Sequence, residues 1–448
     1  MFRAILVANR GEIARRVIRA CRALGIRSVA VYSEADADAP HVRDADEAVL
    51  IGPAPARQSY LDIEAILAAA RRTRAEAIHP GYGFLSENWR FAEACRRAGL
   101  VFIGPSPEAI RAMGDKTEAR RLMAEAGVPI VPGTMEPVRD VDEARRVAQD
   151  IGYPVLLKAA AGGGGIGMAR VPDPASLAAA FAAARRRAES AFGRGEVYVE
   201  RYLDRPRHVE VQVFGDADGR VLHLHERDCS VQRRHQKLVE ESPAPRLPAA
   251  VKAGLTEAAV RGATAIGYRN AGTMEFLVDA AGGFYFLEMN TRLQVEHPVT
   301  EEVTGLDLVV AQIRVAAGER LGWRQDDIVQ RGAAVECRVY AEDPDRGFLP
   351  SPGTITGLSL PEGTGVRLEA GVVAGSAVTV HYDPLLFKLV TNGRDRDEAM
   401  DRMAAALDAT VVEGVKTTVP FLRRVIAHAG FRRGAVHTQM VEEGAFDA

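Results

Sequence analysis

In residues 284–298, a short apolar run is followed by charged and amide residues at every second position. The segment Glu288-Met289-Asn290-Thr291-Arg292-Leu293-Gln294-Val295-Glu296-His297-Pro298 follows the apolar residues 284–287. If the chain stays extended from Phe284 to Glu296, successive side chains alternate between two faces. One face then carries the polar set, which is Glu288, Asn290, Arg292, Gln294 and Glu296. The pattern predicts a strand with its apolar face on a core and its polar face on a cleft.

A second strand-like segment, Thr273–Asp279, precedes this one and is separated from it by an Ala-Ala-Gly-Gly loop. This spacing predicts a hairpin. With a four-residue loop, Asp279 pairs with Phe284, and Glu275 then lies opposite Glu288 with Cβ atoms about 5 Å apart. Like charges so placed destabilise a bare sheet, which favours a divalent cation such as Mg²⁺ between them. The alternative is a solvated pair on an edge hairpin, but the flanking apolar side chains favour a buried sheet.

Four consecutive glycines, residues 162–165, follow a short apolar strand that ends in Lys158. Backbone N–H groups of glycines can close over an anion without side-chain obstruction. The segment does not match a Walker loop, because the lysine precedes the glycines and a strand-like run, residues 166–171, follows them. We therefore predict a mobile glycine hairpin over phosphates, with a plain flexible linker as the alternative.

Lys116 lies at the predicted start of a helix that runs to Ala126, with Asp115 or Gly114 as its cap. A lysine in the first turn is unfavourable against the helix dipole unless it faces an anion. A phosphate contact and a solvated helix-end lysine both remain open.

A charged cluster at residues 226–237 has a local excess of basic side chains. Flanking acids nearly cancel this excess, no aromatic residues interleave it for base stacking, and the whole chain has a formal net charge of −3. These features exclude a nucleic-acid surface. They favour a positive lining for a small anion, with a solvated charged loop as the alternative.

Several long strings of residues occur in a fixed order along the chain. Besides the clusters above, they are Ala8–Ala14, His79–Glu87, Glu336–Arg338, Ala341–Pro344, Phe348–Gly353 and Tyr382–Pro384. On these strings the chain resembles biotin carboxylase, the ATP-grasp subunit of acetyl-coenzyme A and related carboxylases, over essentially its full length. The fold class expected is α/β and α+β. We expect a parallel α/β domain at 1–112, an ATP-grasp domain at 113–330 with a mobile glycine-rich lid at about 131–203, and an α+β domain at 331–448.

The resemblance implies a reaction in two stages. Bicarbonate attacks the γ-phosphate of ATP to give carboxyphosphate, and CO₂ released from it is captured by N1′ of biotin. Phosphoryl transfer depends mainly on positioning and charge neutralisation. Two alternatives remain, which are another ATP-grasp ligase that joins a carboxylate to an amine, and a catalytically silent scaffold homologue.

Site residues carried over by the resemblance fall into four groups. ATP is expected to contact Lys116, Lys158, Gly163, Gly164, Gly165, Met168, Glu200, Arg201, Leu203, His208, Gln232, His235 and Leu277, with Arg201 and Leu203 acting through their backbones. Mg²⁺ or Mn²⁺ is expected on Glu275, Glu288 and Asn290. Bicarbonate is expected on Lys237, Arg292 and the backbone of Gln294 and Val295. Glu296 is the expected general base, Arg338 the group that stabilises the biotin enolate, and Tyr82 a neighbour of the biotin ring.

Two positions of the predicted lid depart from the family pattern. Relatives commonly carry Lys or Arg after the glycine run and Arg after the next Gly-Met, whereas this chain has Ile166 and Ala169. The lid therefore lacks two positive charges. This loss would weaken lid contacts with phosphate, or would mark a branch with a different carrier or acceptor.

The rest of the sequence bears on compartment and partners. Four scattered cysteines show no metal-site spacing, and no signal peptide or run of membrane-spanning length occurs, so a reducing cytosol is the expected compartment. No Met-Lys-Met string is present to carry biotin. We therefore expect biotin on a separate carrier protein and carboxyl transfer by a further, separate carboxyltransferase subunit; the family also implies a homodimer. The carboxyl acceptor, such as acetyl-coenzyme A, propionyl-coenzyme A or pyruvate, would be chosen by another polypeptide.

Overall fold

The computed structural model describes residues 1–159, 168–193 and 195–447. The N-terminal unit is built on a parallel sheet of five strands in the order β3-β2-β1-β4-β5. Its strands are β1 Ala4–Val7, β2 Arg27–Ser33, β3 Glu47–Gly52, β4 Ala77–His79 and β5 Val101–Phe102. Its helices are α1 Gly11–Ala23, α2 Pro40–Asp44, α3 Ile63–Thr73, α4 Trp89–Arg97 and α5 Pro107–Gly114.

Helices cover both faces of this sheet. Ile5 and Val7 of β1 pack in the cluster that contains α1, whereas Leu6 packs in the cluster that contains α3 and α4. A strand buried on both faces reads as a continuous apolar run. Strands β1 and β2 pair in parallel, with Leu6 opposite Val29, which confirms the parallel α/β fold expected for this part of the chain.

A small antiparallel sheet in the order β7-β6-β8 forms the predicted lid region. The strands of this sheet are β6 Val155–Ala159, β7 Ala169–Val171 and β8 Val197–Arg201. The helices of the same region are α6 Lys116–Glu125, which precedes the sheet, α7 Val141–Ile151 and α8 Leu177–Phe192. The predicted pairing on either side of the glycine run is confirmed, because Val155 pairs with Val171. Ala169 packs against the apolar core of this sheet. The predicted phosphate loop, Gly163, Gly164 and Gly165, and Ile166 lie outside the described residues.

An antiparallel sheet of eight strands forms the centre of the molecule, in the order β13-β12-β9-β10-β11-β14-β21-β19. Its strands are β9 Arg207–Gly215, β10 Val221–Arg233, β11 Gln236–Ser242, β12 Asn270–Val278, β13 Phe284–Asn290, β14 Ala333–Tyr340, β19 Val366–Ala370 and β21 Leu385–Gly393. Three small two-stranded sheets pair β15 Glu342–Asp343 with β16 Leu349–Pro350, β17 Gly353–Thr354 with β20 Ala377–Val378, and β18 Gly357–Ser359 with β22 Val411–Glu413. The helices of this region are α9 Ala249–Ala265, α10 His297–Thr304, α11 Leu308–Ala316, α12 Arg396–Ala409, α13 Val419–Ala427 and α14 Ala429–Arg432.

This sheet continues through the C-terminal part of the chain. Strand β11 pairs with β14, so that Glu240 lies opposite Glu336, and β14 pairs with β21. Strands β14, β21 and β19 therefore extend the central sheet. Across the described ranges, no helix has both the length and the hydrophobicity that a bilayer span requires.

Candidate active site

The β12–β13 hairpin places two glutamates opposite each other, and this prediction is confirmed. Glu275 pairs with Glu288 across the two strands. The predicted pairing at the turn is wrong by one residue, since Val278, and not Asp279, pairs with Phe284. The loop is thus one residue longer than predicted, and the pairing of Glu275 with Glu288 then requires one extra residue in β13.

A β-bulge at Leu287 supplies that extra residue. The register shifts between the pairs that involve Glu288 and Phe286, which leaves Leu287 between them. As a result, Phe286 packs into the core with Met289, although strict alternation would place it on the face of Glu288. The bulge keeps the aromatic ring in the core and the carboxylate in the cleft.

The prediction that the chain stays extended as far as Glu296 is wrong. Strand β13 ends at Asn290, and a loop then leads into α10. Glu87 of the N-terminal unit accepts hydrogen bonds from the Thr291 N–H at 2.9 Å and from Arg292 Nε at 2.9 Å. These bonds draw the chain out of the sheet, and the α10 helix then begins beside a proline, which is tolerated in a first turn.

Side chains of this loop still converge on one carboxylate. Asn290 Nδ2 and Gln294 Nε2 donate to Glu275 Oε1 at 2.8 Å and 3.0 Å. Arg292 Nη2 donates to Asn290 Oδ1 at 2.9 Å, and its Nη1 donates to Gln294 Oε1 at 3.2 Å. Glu288 and Asn290 thus lie two positions apart in β13, as alternation predicts, whereas Arg292 and Gln294 join them through side-chain hydrogen bonds.

Four charged side chains form one row across neighbouring strands. Glu288 of β13 pairs with Glu275 of β12, Glu275 pairs with Glu210 of β9, and Glu210 pairs with Arg227 of β10. Three adjacent carboxylates destabilise a sheet unless cations compensate them. The row therefore identifies where positive charge is required.

Lys237 of β11 supplies part of that positive charge. Its Nζ donates to Glu210 Oε2 at 2.5 Å, to Glu275 Oε1 at 2.8 Å and to Glu296 Oε1 at 2.6 Å. Burial alone would raise the pKa of Glu296, but Lys237 and Arg338 hold that pKa well below its ordinary value. Glu296 is therefore a carboxylate at neutral pH.

Arg227 forms the end of the row on β10, where it pairs with Glu210, and its side chain is fully buried. Its Nε donates to Glu210 Oε1 at 2.6 Å, and its Nη1 donates to Gln212 Oε1 at 2.8 Å and to Thr300 Oγ1 at 2.9 Å. Sequence reasoning included Arg227 in the charged cluster at residues 226–237 without a role of its own, and it missed Glu210. The signal was present, because His208, Glu210 and Gln212 alternate with valines as the polar residues of the hairpin do with apolar ones.

Arg338 lies between two buried acids. Its Nη2 donates to Glu296 Oε2 at 2.8 Å and is 2.5 Å from Glu240 Oε1. Burial raises the pKa of Glu240 to about 7 and the pKa of Glu336 well above its ordinary value. Within the described ranges, neither oxygen of Glu336 has a hydrogen-bond partner, which favours the neutral form of this acid.

A cleft of about 1010 Å³ lies above the row. The predicted residues that line it are Lys116, Lys158, Met168, Glu200, Leu203, His208, Gln232, His235, Lys237, Glu275, Leu277, Glu288, Asn290, Arg292, Gln294, Val295 and Arg338. Glu296, Tyr82 and Arg201 do not line it. The Arg201 side chain is exposed and its N–H donates to Pro132 O at 2.8 Å. Near the C-terminus, Thr438, Gln439 and Glu442 also line the cleft, and no sequence motif indicated them.

Cationic side chains of the cleft come from several elements. Asp115 caps α6 through the N–H groups of Thr117 at 3.0 Å and Glu118 at 3.1 Å, as predicted, which places Lys116 at the helix start. Lys158 Nζ lies 2.5 Å from Glu200 Oε2.

His208 adds a further basic group to this side of the cleft. Burial lowers its pKa, but Glu275, whose Oε2 lies 2.9 Å from His208 Nε2, raises it to a net value above the ordinary one. His208 Nδ1 lies 3.1 Å from Gln232 Nε2. These groups are suited to polyphosphate.

Glu288 is the carboxylate of the row that the protein leaves uncompensated. Glu210 and Glu275 bond to Lys237, whereas no cation in the described part of the chain forms an ion pair with Glu288. Desolvation within the cleft and the charge of Glu275 raise the pKa of Glu288, whose side chain faces the open part of the cleft. This donor set of Glu275, Glu288 and Asn290 fits a hard divalent cation that prefers oxygen ligands.

Three family models match the chain in sequence. The N-terminal domain of biotin carboxylase matches residues 1–110, the ATP binding domain of the carbamoyl-phosphate synthase L chain matches residues 115–324, and the biotin carboxylase C-terminal domain matches residues 336–443. Together with the lysines and carboxylates of the cleft, these matches define an ATP-dependent ligase of the ATP-grasp class.

Similar proteins cover almost the whole chain. Biotin carboxylase 2 of Bacillus subtilis strain 168 is 54% identical over 443 residues, which are 99% of this chain and 100% of the relative. A pyruvate carboxylase subunit from Methanothermobacter thermautotrophicus is 55% identical over 444 residues, which are 99% of this chain and 90% of the relative. The biotin carboxylase domain dimer of Hydrogenobacter thermophilus 2-oxoglutarate carboxylase, solved with MgADP, ADP and bicarbonate, has a TM-score of 0.94 and 49% identity, covering 100% of this chain and 99% of that one. The chain belongs to the biotin carboxylase family.

Proposed function

We propose that this chain uses ATP and bicarbonate to carboxylate biotin on a separate carrier protein through carboxyphosphate. This is the first half-reaction of an acyl-coenzyme A or pyruvate carboxylase. The observation that carries the proposal is the position of Lys237, which bonds to Glu275 on the nucleotide side and to Glu296 on the bicarbonate side. One buried cluster thus joins the groups for both reactants of the first step.

On the nucleotide side, Lys116, Lys158 and His208 bind the phosphates, and Glu275, Glu288 and Asn290 hold Mg²⁺ or Mn²⁺. The cation, when bound, neutralises charge on the phosphate oxygens. The adenine is bordered by Met168, Glu200, Arg201, Leu203, Gln232, His235 and Leu277, with Arg201 and Leu203 acting through their backbones. Gly163, Gly164 and Gly165, which the resemblance assigns to the phosphates, lie outside the described residues. The raised pKa of Glu288, and the cleft that all these adenine neighbours except Arg201 line, support the assignment.

On the bicarbonate side, Lys237, Arg292 and the backbone of Gln294 and Val295 bind the anion, and Glu296 accepts its proton. The low pKa of Glu296 ensures the deprotonated state, but so acidic a carboxyl is a weak base. Bicarbonate bound to the Lys237 ammonium offsets the positive charge that lowers the pKa of Glu296. Substrate binding itself therefore strengthens the base.

Biotin is bound beside Arg338 and Tyr82. The guanidinium of Arg338 stays charged and presents donors in a fixed geometry, which suits a planar enolate. Its bond to Glu296 at 2.8 Å supports a role for Arg338 beside the proposed base.

We also propose the larger organisation expected from the sequence. The domains are residues 1–112, 113–330 with the lid at about 131–203, and 331–448. The partners are a biotin carrier protein, a carboxyltransferase subunit, and a second copy of this chain in a cytosolic homodimer. Four buried free cysteines support a reducing compartment, and the relative solved as a dimer supports the homodimer.

ADP release by the purified protein, with and without bicarbonate and free biotin, tests the proposal. We expect release to require bicarbonate and to increase with biotin. Release that ignores both would refute the function, and dependence on an amine in place of bicarbonate would indicate a different ligase.

A Glu296→Gln variant tests the base assignment, because glutamine keeps the shape of the side chain and cannot accept the proton. We expect bicarbonate-dependent turnover to fall by about 10²- to 10⁴-fold while ATP affinity stays within about two-fold. The matched control is Glu319→Gln, at a side chain that is 47% exposed. A large loss of ATP affinity in Glu296→Gln would contradict the assignment.

A further inference from the structure

Lys388 lies in the middle of β21 and is fully buried. Lysine is almost never fully buried unless it is paired. Its Nζ donates to Val295 O at 2.7 Å and lies 3.1 Å from Glu12 Oε1. Lys388 belongs to none of the sequence motifs, so its burial calls for a structural or functional reason.

These contacts reach both halves of the site. Val295 belongs to the loop that binds bicarbonate in the proposed function, whereas Glu12 accepts a hydrogen bond from the hydroxyl of Tyr82, the residue beside biotin. The Lys388 ammonium also lies 5.9 Å from the centre of the Tyr82 ring, within the range of a cation–π interaction. One ammonium thus connects the N-terminal unit, the bicarbonate loop and the C-terminal strands.

The bond to Val295 has a direct effect on backbone geometry. The Val295 carbonyl shares one rigid peptide plane with the N–H of Glu296. When this carbonyl is held in place, the orientation of the Glu296 N–H is fixed together with that of the Val295 backbone. Lys388 also pairs across the sheet with Arg338, so the same strand supports the enolate-stabilising guanidinium.

We propose that Lys388 is a positioning residue that fixes the bicarbonate loop and Tyr82 relative to each other. The proposal rests on the function proposed above and adds to it the residue that aligns its two half-sites. A purely structural alternative is that Lys388 only neutralises buried acids. The two ideas differ in what happens when the lysine and its acid partner are neutralised together.

The test compares Lys388→Met with the double variant Lys388→Met/Glu12→Gln. The double variant removes both charges of the Lys388–Glu12 pair, so that Glu12 is not left as a buried carboxylate without its cation. If Lys388 positions the loop, the double variant folds but its KM for bicarbonate rises by about ten- to a hundred-fold, with the KM for ATP within about two-fold of wild type. An unchanged KM for bicarbonate, or equal rises for bicarbonate and ATP, would overturn the proposal.

Hydrogen exchange of the ligand-free proteins tests the same idea without catalysis. We expect faster exchange of the amides of residues 291–297 in both Lys388 variants, with β6 and β8 unchanged. Lys416→Met, at an exposed lysine, is the matched control and should exchange as wild type does. Unchanged exchange in the loop would refute the tether, whereas wild-type protein without bicarbonate-dependent ADP release would refute only the proposed function.

Discussion

Replacement of Lys237 by methionine tests how the site keeps three carboxylates close together. The ammonium bonds to Glu210, Glu275 and Glu296, and all three carboxylates are buried. Methionine keeps the apolar stem of the side chain and removes the charge. The carboxylates would then depend on the cations that remain around them.

Loss of one partner from a buried ion pair costs about 3–5 kcal/mol. We expect a loss of unfolding free energy of about this size near neutral pH, and not three times as much, because Arg227 still bonds to Glu210 and Arg338 still bonds to Glu296. A larger loss would mean that these arginines do not compensate their carboxylates.

The loss should depend on pH with a definite sign. In the wild type the pKa values of Glu275 and Glu296 lie below the ordinary 4.5, so their stabilising contribution is present above that pH and is lost only in acid. In Lys237→Met burial still raises these pKa values and the main opposing charge is gone. Stability of the variant should therefore fall as pH rises through the raised values.

Urea unfolding midpoints at about pH 5.5 and about pH 8 measure this difference. We expect the deficit of Lys237→Met relative to wild type to be larger at the higher pH. Lys416→Met, at an exposed lysine, should change the unfolding free energy by no more than about 0.5 kcal/mol at either pH. Equal deficits of Lys237→Met at both pH values would refute the reasoning.

Two further variants test other charges of the site. Glu288→Gln removes a like charge opposite Glu275, so the metal-free protein should unfold at the same or a higher temperature, while the Mg²⁺ concentration for half-maximal ATP turnover rises at least about ten-fold. A Mg²⁺ titration that matches wild type would exclude Glu288 as a ligand. In the wild type, burial raises the pKa of Glu240 to about 7, so the native state takes up a proton as pH falls from about 7 towards 4.5 and becomes more stable. Glu240→Gln should weaken the dependence of the urea unfolding midpoint on pH in this range. If the variant shows the same pH dependence as wild type, another group causes it.

Local pattern predicted much of the site where the residues lie close together in sequence. Apolar and polar alternation with an Ala-Ala-Gly-Gly loop predicted the hairpin, although the pairing of Glu275 with Glu288 also needs the bulge at Leu287, which offsets the longer turn. Helix-capping chemistry placed Lys116 at the start of α6. In both cases the interactions that decide the structure join residues within about twenty positions of one another.

The remaining features depend on partners that are distant in sequence. The loop after Asn290 leaves the sheet because Glu87 binds it, and that partner is 204 residues away from Thr291. The bulge at Leu287 follows from packing of Phe286 into a core that other strands complete. The identities of these partners depend on strand order and domain packing, which alternation within a single strand does not encode.

The row of carboxylates also changes the argument for a cation. From the sequence, the pair Glu275 and Glu288 requires positive charge between its members. In the structure the row includes Glu210 as well, and Lys237 bonds to both Glu210 and Glu275, so that protein cations already balance two of the three acids. Only Glu288, at the cleft end, is left without an ion pair among the described residues. The need for a metal ion is therefore confined to the position where a nucleotide phosphate can share it.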